Sequence, residues 1–137
     1  MQARASSFVL VVNVETQKPI TVRRMKTYTG GQGYVYQYYF VGKRASLSPL
    51  PAGAEYIFDV TSDRKTTFAV SVFLAGEATK HWAATHSRSL TEAEQYGAVK
   101  MRLFQAFDEI ENLMADGRQL FVNAETLEQV LTTLGVE

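Results

Sequence analysis

The twelve residues TGGQGYVYQYYF, positions 29–40, put three glycines within four positions directly ahead of five aromatic side chains within seven. A tight chain reversal accounts for the first half, because glycine adopts positive φ without Cβ strain. The second half alternates with the period of a strand of high β-propensity. Tyr34, Tyr36, Tyr38 and Phe40 fall on one face and Val35, Gln37, Tyr39 and Val41 on the other. A phosphate loop is a poor description, since such loops need Gly-Lys-Ser/Thr opening a helix, and these glycines stand between two strands.

The register of this hairpin stays open. A loop of Gly30 to Gln32 would pair Tyr28 with Tyr34, Lys26 with Tyr36 and Arg24 with Tyr38, building a ladder of cations beside rings. A loop one residue shorter or longer would set Met25 and Thr27 opposite the tyrosines instead.

Upstream, SSFVLVVNVE (6–15) and ITVRRMKTYT (20–29) read as two strands joined by the turn TQKP. Downstream, RASLSPLPAGA is a loop, EYIFDV (55–60) a fourth strand, TSDRK a polar turn, and TTFAVSVFLA (66–75) a fifth. Strands joined by short links favour an antiparallel meander. The period then changes. In SLTEAEQYGAVKMRLFQAFDEIENLM (89–114), Tyr96, Val99, Leu103, Phe107, Ile110 and Met114 recur at steps of three and four, one stripe of a helix. Thr91 with Glu94 makes a capping box, and Gly117 is the expected stop. RQLFV reads as a short strand, and Asn123 caps a final helix, AETLEQVLTTL. The segment EATKHWAATHSRS is ambiguous between helix and loop. The fold class is therefore α+β: an antiparallel sheet of about five strands with one long helix packed on a face and a short C-terminal helix, in one domain over residues 1–137.

Composition agrees with a packed domain: 137 residues, 46% hydrophobic, 20% charged and 3 prolines. With no cysteine, disulfides and thiolate chemistry are excluded. The apolar run Phe8 to Val12 is too short for a signal peptide and no stretch is long enough to span a bilayer, so a mature cytoplasmic protein is expected. The zero net charge is unevenly spread, with seven basic and one acidic residue in positions 1–50 and seven basic and thirteen acidic residues beyond. Such asymmetry marks a basic surface for an anionic partner, or two halves that neutralise each other.

Catalytic groups are sparse. His81 and His86 would stand about 140° apart on a helix, poorly placed to share a metal. His81 beside Trp82 reads as a half-buried pair that anchors its segment, and Asp59, Asp63, Arg64 and Lys65 read as turn chemistry. No cofactor or metal is expected, and an enzymatic role finds no support in these residues. The leading reading is a non-enzymatic binding module that self-associates as a homodimer, or engages another protein, through the aromatic sheet face. Its candidate binding residues are Arg23, Arg24, Lys26, Tyr34, Tyr36, Tyr38, Lys43 and Arg44. The alternatives are single-stranded nucleic-acid binding by the same hairpin, and a small-ligand pocket between sheet and helix near His81, Trp82 and His86.

Overall fold

The computed structural model describes residues 25–46 and 51–137. The expected strand at 6–15, the first half of the one at 20–29, and Arg23 and Arg24 lie outside the described residues.

Five strands form one sheet in the order β1-β2-β3-β4-β5: β1 Lys26–Thr29, β2 Val35–Ser46, β3 Gly53–Thr61, β4 Phe68–Ala75 and β5 Gln119–Val122. The first four are antiparallel neighbours in chain order, as short connections require. β5 is the RQLFV segment. It runs parallel to β4, because the chain first crosses over through three helices and returns in the same direction. The sheet is thus mixed and curls as a half-barrel. Among the described residues no helix is long and apolar enough to cross a membrane.

The ambiguous segment after β4 is a helix, α1 (Gly76–His86), closed by Ser87 in a left-handed conformation. α2 (Glu92–Glu109) begins at the expected capping box: the Thr91 hydroxyl accepts from the Glu94 N–H, and the Glu94 carboxylate accepts from the Thr91 N–H. The anticipated helix does not run unbroken to Met114. It ends at Ile110 and restarts as α3 (Leu113–Asp116), whose cap is the Asn112 side chain accepting from the Ala115 N–H at 3.2 Å. Asn112 can satisfy the backbone locally, which competes with helix continuation, and the acids Asp108 and Glu109 oppose the dipole at the end of α2. Met114 therefore leaves the apolar stripe and is exposed. α4 (Ala124–Leu134) is capped by Asn123, which accepts from the Thr126 N–H, and buries Leu127, Val130 and Leu131 against α1 and α2.

The core lies between the inner sheet face and the helices. Tyr36, Tyr38, Tyr56, Phe58, Val60, Val70 and Val72 from the sheet meet Val99, Leu103 and Phe107 of α2. The aromatic strand supplies much of this contact. The Tyr36 ring stacks on Phe107 with centroids 4.3 Å apart, and Tyr38 lies edge-on to Phe104 at 5.7 Å.

The hairpin pairs Lys26 with Tyr38, Tyr28 with Tyr36 and Thr29 with Val35. The loop keeps three residues but consists of Gly31, Gln32 and Gly33, so every pair is displaced by two from the first register considered above. A displacement of two preserves which side chains share a face. Gly30 donates to Tyr34 O at 2.8 Å, and Gly33 donates to Gly30 O at 3.0 Å from φ 90°. This is the turn-plus-left-handed-residue arrangement common in three-residue hairpins. The loop also docks on the end of α2, where Asp108 accepts from the Gly31 N–H at 2.8 Å and from the Tyr28 hydroxyl at 3.0 and 3.1 Å.

Candidate ligand-binding face

The pairing of β2 with β3 shifts register between Phe40 and Gly42, leaving Val41 as a bulged residue. That extra residue reverses the alternation of β2. Tyr36, Tyr38 and Phe40 point to the helix side before it; Lys43, opposite buried Tyr56, points there after it. Arg44 consequently faces the other side of the sheet, where its Nε lies 2.6 Å from Glu55 Oε1. The neighbouring cations Lys43 and Arg44 do not act on one surface.

Lys26 does share a face with Lys43. It sits on β1 opposite Tyr38, so both project toward α2. α2 contributes a third cation, with Lys100 Nζ 5.6 Å from the Tyr96 ring and 5.9 Å from the Phe104 ring. Lys43 Nζ lies 5.4 Å from the Tyr56 ring. Phe40 joins the two sides, with centroids 5.2 Å from Tyr96 and 6.2 Å from Tyr56, and remains 37% exposed. The result is a continuous strip of rings studded with Lys26, Lys100 and Lys43. None of the three ammoniums is ion-paired among the described residues. Burial, and then the charge of Lys26, pull the Lys100 ammonium below the usual lysine range. Two like charges near each other, that of Lys100 over aromatic faces, with no counter-ion among the described residues, attract an anion that brings one.

Lys100, Tyr96, Phe104 and Phe40 are not among the binding candidates read from the sequence. A signal existed: Tyr96, Lys100 and Phe104 follow at steps of four and so line one helix face. What concealed it is the assignment of Tyr96 to the apolar stripe of the helix.

The tyrosines divide. Tyr36 and Tyr38 are buried, and burial raises both phenols above the usual range, with Tyr34 and Tyr96 adding to the shift respectively. Their rings are engaged by Phe107 and Phe104 and offer no free face to a base or a partner. Tyr34, at the loop, is 45% exposed.

On α1, Trp82 is buried, whereas His81 is exposed and does not form a half-buried pair with it. The imidazole on Trp82 is that of His86, stacked at 4.1 Å with Nε2 3.0 Å from Glu128 Oε1 of α4. The Arg88 guanidinium lies 4.9 Å from the same indole and forms a two-pronged pair with Glu94. This assembly fastens α1 to α4 and to the start of α2. Five residues apart on the helix, the two histidines point in different directions, and His81 borders a shallow hollow with Glu125, Glu128 and Gln129. Among the described residues no group of three or more His, Asp or Glu side chains is placed to hold a metal ion.

No family model matches the chain, and neither a curated protein nor a solved structure is significantly similar to it.

Proposed function

We propose that the protein is a non-enzymatic binding module that takes a single-stranded nucleic acid on the strip formed by Lys26, Lys43 and Lys100. The observation that carries this reading is that Lys26, opposite Tyr38 on the sheet, and Lys100, over Phe104 on α2, flank the same Tyr38–Phe104 contact with no ion-pair partner among the described residues. Three ammoniums spaced along a strip suit a phosphate chain, and the open ring of Phe40 suits a stacked base. Zero net charge keeps the affinity modest and confined to this strip.

Fluorescence anisotropy with a labelled oligothymidylate tests it. Three phosphate contacts give a log–log salt slope of about −2, and Lys100→Gln should make it shallower by about 0.7. Phosphate binding favours the charged lysine. Because the Lys100 pKa is depressed in the free protein, affinity falls as pH rises through that depressed value, below the point where an ordinary lysine titrates. Absence of binding at low salt, or a slope unchanged by Lys26→Gln and Lys100→Gln, defeats the proposal. Equal competition by polyglutamate would transfer the site to an acidic protein partner.

A second reading, self-association, has its own support on the opposite sheet face. A groove of about 440 Å³ lies there between Glu55, Ser71, Phe73 and Phe121, and the Phe121 ring is 60% exposed. Edge-to-edge pairing through β5 is hindered, since Arg102 Nε already donates to the Phe121 carbonyl at 3.2 Å. A second copy would therefore meet this one face to face. Light scattering should report a dimer that Phe121→Asp converts to a monomer; a monomeric parent protein at high concentration eliminates this reading.

A further inference from the structure

At the loop end of the sheet, away from the lysine strip, a cavity of about 540 Å³ opens between three elements. The β2 side supplies Tyr34 and Tyr36, the β3–β4 turn supplies Ser62, Asp63 and Thr66 with Phe68 behind it, and the α2–α3 link supplies Glu111 and Asn112 ahead of Leu113 and Met114. The volume is that of a small-molecule site.

Its chemistry is one-sided. Among the described residues no cation lines it: Arg64 and Lys65 belong to the same turn but are not part of the wall. Asp63 Oδ1 accepts from the backbone N–H groups of Lys65 and Thr66, both at 2.8 Å, and from the Thr61 hydroxyl at 3.2 Å. Those bonds hold its carboxyl below the usual range, so it stays charged, and Oδ2 has no hydrogen-bond partner among the described residues. Glu111 likewise has none. The Tyr34 and Tyr36 rings meet at 63° with centroids 6.4 Å apart, forming an aromatic corner. Tyr36 is 2% exposed, yet its hydroxyl has no hydrogen-bond partner among the described residues, and the cavity is where the side chain reaches a surface. That oxygen is not itself buried, so it is open to a ligand acceptor or water in the cavity.

We propose that this cavity binds a small organic ammonium, with the cation against the exposed Tyr34 ring and its charge met by Asp63 and Glu111. Aromatic faces attract cations through the ring quadrupole, and two carboxylates from separate elements repel anions while suiting an amine with one or two charges. An inorganic cation fits less well, since the wall offers two carboxylates from separate elements together with aromatic rings, not a cage of oxygens. The site is independent of the lysine strip and survives if that reading fails.

Isothermal titration calorimetry with tetramethylammonium and with putrescine tests this, using glucose and inorganic phosphate as neutral and anionic comparators. Binding of at least one ammonium is expected, weakened about tenfold by Tyr34→Ala and by Glu111→Gln. Both residues are exposed, so circular dichroism should report an unchanged fold. No heat with either ammonium, equal binding of glucose, or indifference to both substitutions overturns the proposal. Tighter binding of N-acetyl-lysine methylamide than of putrescine would assign the ammonium to a protein side chain and overturn the free-ligand form.

Discussion

Phe107→Ala should destabilise the protein by about 3–5 kcal/mol, the range for removing a fully buried phenylalanine. Phe107 is entirely buried and sits where four aromatic rings converge. Tyr36 stacks on it at 4.3 Å, and Tyr28, Tyr38 and Phe104 lie 5.6 to 6.2 Å away. Truncation leaves a void that stiff rings on a paired strand cannot collapse to fill. Typical domain stability is only about 5–15 kcal/mol, so the variant would be close to unfolding. Urea denaturation measures the loss. Phe104→Ala is the internal comparison, because Phe104 is only half-buried and should cost clearly less. A loss below about 1.5 kcal/mol for Phe107→Ala, no more than a volume-conserving swap, would mean that the aromatic ribbon is not seated under α2 as described.

Gly30→Val carries the second large effect, about 1–3 kcal/mol or more from overpacking. A Cβ at position 30 would stand 2.7 Å from the Phe107 carbonyl oxygen and 3.3 Å from its carbon. Both are backbone atoms of a packed helix, so neither can swing aside. Relief requires the hairpin to lift off α2, which also strains the 2.8 Å bond from Gly31 to Asp108. The other two glycines make the prediction specific. At Gly31 a Cβ would meet Asp108 Oδ1 at 3.6 Å, ordinary contact, so Gly31→Ala should be nearly neutral. At Gly33 there is open space but φ is 90°, so Gly33→Ala should cost about 1 kcal/mol through conformation alone. Thermal melts that ranked Gly31→Ala as the most damaging of the three would refute the docking of this loop on the helix. Of three glycines that look alike in the sequence, one is required by a neighbour and one by its own dihedral angle.

How much could be read beforehand follows from the range of each interaction. The box at Thr91 and Glu94, the Asn123 cap and the strand alternation all arise within a few residues, and each was legible in the chain. The helix break at Ile110 was half-legible: Asn112 is a good cap, but a cap residue inside an apolar stripe can also be ignored by a continuing helix. The bulge at Val41 left no trace in the composition of β2. It came from pairing with β3, and it alone put Lys43 on the helix side and Arg44 on the outer side, where uninterrupted alternation would have placed them the other way round.

Local chemistry written in the chain determined most element types, several of their ends, and which tyrosines share a face, because periodicity and capping act over three or four residues. Tertiary structure alone decided that Lys26, Lys43 and Lys100 form one strip, that Tyr36 borders a cavity with Asp63 and Glu111, and that His86 rather than His81 stacks on Trp82. Those groupings depend on strand register, a bulge and the seating of α2, which are set by how the whole core packs and not by any short segment.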